Sequence, residues 1–330
     1  PITGRSHNVA AQVTTLGKRF ATIAEELLFA YDRLLGLQER YPMRGIKGPV
    51  GTAQDSIDLL GSSAAHHSLE QIIAKELGFS QVLDSTGQIY PRSFDYDVLT
   101  TLVQLASAPA NLATSIRLMA GAELVTEGFK AGQVGSSAMP HKMNTRSCER
   151  VNGLAVVLRG YASMISELAG NQWNEGDVSC SVVRRVAIAD SFYAFDGLLE
   201  TILTVLDEFG TFPALINAEL ERQLPFLATT KILMAAIKAG IGREVAHEVI
   251  KEHSVKATIA IREGKANTFF DELAADSRIP LDRAALDQLI GKPLDFAGDA
   301  QQQVARIVNR VNAITAEFKD AAQYTAESIR

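Results

Sequence analysis

Residues 9–41 read VAAQVTTLGKRFATIAEELLFAYDRLLGLQERY, and their apolar positions decide the fold class. Val13, Leu16, Phe20, Ile23, Ala24, Leu27, Leu28, Tyr31, Leu34 and Leu35 recur mostly three or four residues apart. That spacing gathers side chains on one face of a 3.6-residue helix. The pattern predicts one long amphipathic helix, ended by Pro42 and the Gly45-x-x-Gly48-Pro49 stretch. Working outward, similar patterns predict helices over 68–77, 95–127, 144–170 and 181–209. Convincing alternating strand patterns are nearly absent. Long helices joined by short turns predict an all-α fold built as a long-helix bundle. Gly210-Thr211-Phe212-Pro213 reads as a boundary, after which the helical patterns shorten to 218–223, 230–239, 243–263 and 296–322. The expected organisation is a central bundle domain over 1–211 and a small helical C-terminal domain over 212–330.

Composition narrows the function classes. The 330 residues are 47% apolar and 21% charged, an ordinary globular balance with ample material for a large core. The formal net charge of -6 argues against a nonspecific nucleic-acid binder, which needs a basic face, while leaving room for one anion in a locally basic pocket. Two cysteines, Cys148 and Cys180, make neither a disulfide framework nor a zinc spacing, so a reduced, cytoplasmic setting is expected. No apolar run approaches the roughly 20 residues of a membrane-spanning helix. The adjacent His66 and His67 project in different directions, and His247 and His253 stand six apart, so no metal or cofactor is expected.

The chemistry concentrates between two predicted helices, in a loop over 128–144. Its core is Gly135-Ser136-Ser137-Ala138-Met139-Pro140-His141-Lys142-Met143-Asn144. Two hydroxyls, a lysine and an asparagine within ten residues are unusual for a linker, although Ser and Asn also serve as plain helix caps. The pattern Gly-Ser-Ser-x-Met-Pro-x-Lys-x-Asn resembles the signature of the fumarase/aspartase superfamily, homotetrameric lyases that eliminate fumarate from succinyl compounds. The resemblance implies that Ser136 is the general base that removes the Cβ proton. Ser137, Met139 and Asn144 are then substrate contacts. Proton removal beside a carboxylate creates a dianionic aci-carboxylate, so positive charge and donors must face it. Lys142, Asn144 and the backbone N–H groups opening the next helix are suited to that task.

Other stretches resemble the adenylosuccinate lyase branch of that superfamily. In Gly4-Arg5-Ser6-His7, Ser6 stands where the family usually has threonine, and the resemblance makes His7 the acid that serves the leaving nitrogen. Glu149, seven residues after Lys142, matches the glutamate that orients this histidine. Gln88, within Gly87-Gln88-Ile89-Tyr90-Pro91-Arg92, matches a substrate contact. Arg150 matches a nucleotide-binding arginine, and Ser181 and Arg185 match residues that hold phosphate, for which arginine's fork is well shaped.

Departures are a Gly176 where many members carry arginine, Thr145 in place of a proline, and the unexplained run Gly176-Asp177-Val178-Ser179-Cys180-Ser181. The resemblance also implies a further N-terminal domain before Gly4, a homotetramer with active sites shared between subunits, and a poorly active chain when that domain is absent. The alternatives are another fumarate-releasing lyase, such as argininosuccinate lyase, and a non-catalytic structural homologue.

Overall fold

The computed structural model describes residues 1–128, 139 and 141–327. The chain opens with a hairpin where a helix was expected. Strand β1 (Ile2–Ser6) pairs antiparallel with β2 (Val9–Thr14), Ser6 opposite Val9 and Ile2 opposite Thr14. The two loop residues, His7 and Asn8, have φ of 50° and 61°. Positive φ at both positions is the turn geometry whose twist suits a two-residue hairpin. At Gly4 an added Cβ would stand 2.6 Å from the Gln12 carbonyl oxygen, so the glycine lets the strands close. The apolar spacing therefore misplaced the start of the first helix. Helix α1 (Leu16–Arg40) begins after Thr15, whose Oγ1 accepts from the Lys18 N–H at 2.9 Å and caps it.

By internal packing the chain divides into two compact units, residues 1–22 with 211–322 and residues 23–210 with 323–330. The second of these holds α2 (Gln54–Leu60), α3 (Ser63–Glu76), α4 (Ser93–Gly121), α5 (Arg146–Ser166) and α6 (Ser179–Glu208). Helices α4, α5 and α6 pack on one another around Leu99, Ala162, Ile165, Leu168 and Ala187. These long helices are those the apolar spacing predicted, with ends shifted by a few residues. The largest shift is at α4, which stops at Gly121 rather than 127, where Glu123 turns to φ 61°. Lys47, in the loop after α1, donates from Nζ to both oxygens of Glu70 on α3 at 2.9 and 2.8 Å, with both side chains buried. The Ile46 N–H adds a third bond to that carboxylate at 3.0 Å, and His66 Nε2 lies 3.5 Å from it.

The other unit contains the hairpin and α7 (Pro213–Leu227), α8 (Thr229–Lys238), α9 (Arg243–Arg262), α10 (Phe269–Ala274), α11 (Arg283–Ile290), α12 (Ala300–Glu317) and α13 (Lys319–Ala322). Pro213 opens α7, where its missing N–H costs nothing. Val13 of β2 packs with Leu220, Leu224 and Leu227 of α7, so the hairpin has its core here. The larger core centres on Phe269, stacked on Phe226 at 5.4 Å and surrounded by Ile232, Val249, Leu273 and Leu286. At its surface Asp276 accepts from Arg278 and from His253 Nε2 at 2.8 Å, and these bonds hold its carboxyl well below the usual range. An all-α fold with a long-helix bundle and a smaller set of C-terminal helices is thus present, with short strands added.

Candidate functional site

Gln88 is exposed, on a segment held from two sides. Its N–H donates to the Glu175 carbonyl at 2.7 Å. Arg44 Nη2 donates to the Gly87 carbonyl at 2.5 Å. At Gly87 an added Cβ would meet the Glu175 backbone at 2.4 Å, so only glycine lets these two loops touch. The 172–178 loop leads directly into α6, and so the contact brings Gln88 against the approach to Ser181 and Arg185.

The run from 176 to 181 now has a physical account. Gly176 has φ +148°, and a Cβ there would stand 3.2 Å from the Ile89 side chain and 3.4 Å from that of Gln88. An arginine at 176 would be strained and would crowd the Gln88 segment. Asp177 Oδ1 accepts from the Ser179 N–H at 3.0 Å and its hydroxyl at 2.6 Å, capping the first turn of α6. Ser181 and Arg185 stand one turn apart on α6, the spacing that puts both on one helix face. Ser181 is half-buried and Arg185 exposed.

Beneath them lies a polar network that periodicity did not reveal. Asp95, 3% exposed, accepts from the Tyr90 hydroxyl at 2.6 Å and from Arg184 Nε at 2.7 Å. Arg92 adds a longer bond at 3.4 Å and lies over the Tyr90 ring at 3.9 Å. Arg184 also donates to the Tyr90 hydroxyl oxygen. Burial, then the Asp95 bond and charge, push the Tyr90 phenol up, so it remains a donor. Asp95 holds a position where an acid commonly offsets the helix dipole. It does stand in the first turn of α4, but its carboxylate is spent on side chains. The partner that defines this cluster, Arg184, is 89 residues away in sequence, and local spacing carries no signal for it.

Of the motif over 135–144, Met139 and residues 141–144 are described. Ser136 and Ser137 lie outside the described residues. Met139 is exposed, and its carbonyl accepts from the Lys142 N–H at 3.0 Å. Lys142 is exposed and Asn144 half-buried just before α5. Glu149 and Arg150 are exposed in the first turns of α5. The expectation that the opening N–H groups of α5 face substrate needs correcting. The Ser147 and Cys148 N–H groups donate to Glu127 at 3.0 and 2.8 Å, and Glu127 is buried. Thr145 does not cap α5 with its side chain, and the carboxylate from the far end of the loop takes that place. An acid just before a glycine-rich loop was a signal that could have found it.

Ser6 ends β1 and His7 opens the hairpin turn, both exposed. They belong to the unit of 1–22 and 211–322, whereas Glu149 belongs to the other. Among the described residues, no group of three or more His, Cys, Asp and Glu is placed to hold a metal ion. No described helix is long and apolar enough to cross a membrane.

Residues 1–160 match the family profile described as Lyase, and residues 225–307 match the one described as Adenylosuccinate lyase C-terminus. The chain is 34% identical over 312 residues to the adenylosuccinate lyase of Saccharomyces cerevisiae, covering 94% of this chain and 64% of that protein. It is 33% identical over 322 residues to that of Schizosaccharomyces pombe, covering 97% and 67%. For the Archaeoglobus fulgidus enzyme the values are 32% over 315 residues, 94% and 68%. The chain thus spans about two thirds of the length of these relatives. Among solved structures, a 3-carboxy-cis,cis-muconate lactonizing enzyme from Pseudomonas putida superposes with a TM-score of 0.79 at 20% identity, over 95% of this chain and 67% of that one. A fumarate lyase from Mesorhizobium sp. BNC1 gives 0.76 at 19%, over 93% and 66%. At those identities the likeness is one of fold.

Proposed function

The chain belongs to the adenylosuccinate lyase family of the fumarase superfamily, and on that premise we propose that the protein cleaves adenylosuccinate to AMP and fumarate, and the related succinyl-aminoimidazole-carboxamide ribotide to its carboxamide and fumarate. The observation that carries this reading is the approach of the Gln88 segment to the start of α6, where Ser181 and Arg185 share a face. The Gln88 segment meets the loop that leads into α6 at Glu175, and an amide, a hydroxyl and a guanidinium are a set suited to a nucleotide monophosphate.

In the proposed reaction Ser136 removes the Cβ proton. Lys142 and Asn144 stabilise the aci-carboxylate that forms. The electron pair then makes the fumarate double bond as the C–N bond breaks, and His7, oriented by Glu149, protonates the departing nitrogen. A homotetramer with active sites shared between subunits belongs to the same reading. No cofactor enters the scheme, and the setting proposed is cytoplasmic. The test is fumarate release by the full-length protein from adenylosuccinate, argininosuccinate and aspartate. Release from adenylosuccinate alone is expected. Release from argininosuccinate or aspartate instead would overturn the nucleotide reading, and release from none would favour a structural homologue.

A further inference from the structure

We propose that Asp95 is the positioning residue of the nucleotide site, acting through Tyr90 and Arg184 to hold the Gln88 segment in register with the phosphate-facing side of α6. The inference rests on the adenylosuccinate reading and deepens it. Asp95 sits in the first turn of α4, so its backbone is anchored in the bundle. One of its carboxylate oxygens takes the Tyr90 hydroxyl, two residues beyond Gln88. The other takes Arg184 Nε, the residue beside Arg185 and three beyond Ser181. Arg92 fastens the same segment again, its Nε donating to the Tyr90 carbonyl at 3.0 Å. One buried carboxylate therefore ties together two segments, one carrying Gln88 and the other Ser181 and Arg185.

Two further features make this a register device rather than a generic ion pair. Arg184 reaches both the phenol and the carboxylate, so a shift of α6 along its axis would break two charge-assisted bonds together. The glycines at 87 and 176 allow the loops to touch but do not fix where they touch. Directional bonds must supply that: the Gln88 N–H to the Glu175 carbonyl fixes one point, and Asp95, joining Tyr90 to Arg184, fixes the second. A nucleotide that bridges Gln88 and Arg185 needs the two at one spacing, and small misplacements there are costly.

The test is a double-mutant cycle on AMP affinity in the full-length protein, measured by titration calorimetry. Asp95→Asn is expected to weaken AMP about tenfold when Arg185 is present and less than about twofold when Arg185→Gln is already in place. A loss of fold would give the same factor in both backgrounds, and that result, or an unchanged affinity in Asp95→Asn, would overturn the proposal. If Asp95→Asn does not fold, Tyr90→Phe keeps the ring and removes only the hydroxyl. It should weaken AMP about threefold with Arg185 and not at all with Arg185→Gln. Equal factors would again overturn the proposal. Failure of the unmodified protein to bind AMP would instead bring down the adenylosuccinate reading on which the proposal stands.

Discussion

Replacing Ser136 with alanine in the full-length protein should lower the rate of fumarate release from adenylosuccinate by on the order of 10² or more, while AMP affinity stays within about threefold. The split follows from the proposed role. A group that only moves a proton contributes in the transition state and little in the ground state, so its loss falls on kcat. A serine hydroxyl is hard to ionise, and its use as a base requires Lys142 and other donors to stabilise the alkoxide. Two N–H groups at the start of α5 are already taken by Glu127, which leaves Lys142 and Asn144 with more of that burden. Unchanged turnover in Ser136→Ala, measured by the absorbance of fumarate, would remove serine from the role.

The largest effect on stability is expected at Glu70. Its carboxylate receives both bonds from the Lys47 ammonium and one from the Ile46 N–H, with the two side chains only 4% and 8% exposed. Glu70→Ala leaves the ammonium buried without its counter-charge, a change that costs about 3–5 kcal/mol in comparable pairs. Glu70→Gln, which keeps the shape and one acceptor, should cost less. Denaturant unfolding followed by circular dichroism measures both. A loss below about 1 kcal/mol for Glu70→Ala would show that Lys47 finds water or another acceptor, and that the pair is not an anchor of this region.

Much of the architecture was legible because the long helices carry their burial in their period. Leu99 and Leu102 on α4, or Val151, Ala155 and Leu158 on α5, are buried residues at helical spacing, and no tertiary knowledge is needed to see them. The hairpin was not legible for the converse reason. Val9 to Thr14 runs straight into the apolar stripe of α1, and the turn that separates strand from strand uses His7 and Asn8 rather than the glycine that normally announces positive φ. Its consequence matters for chemistry, because it places the proposed acid His7 at a tight, exposed turn. Gln88, Ser181 and Arg185 were named from family resemblance, and the Gln88 segment meets the loop that leads into α6. Asp95 and Arg184, which join those segments, depend on a contact across 89 residues that neither propensity nor motif encodes. Gly176 shows the same limit from the other side, since its departure from the family pattern becomes intelligible only once Ile89 and Gln88 are seen against it.

The measurement that bears most directly on the central claim is a structure of the full-length protein with AMP bound. The account predicts the phosphate within hydrogen-bond distance of Ser181 and Arg185, on the face of α6 that the Gln88 segment approaches. AMP bound elsewhere, with Arg185 and Gln88 both left in solvent, would contradict it.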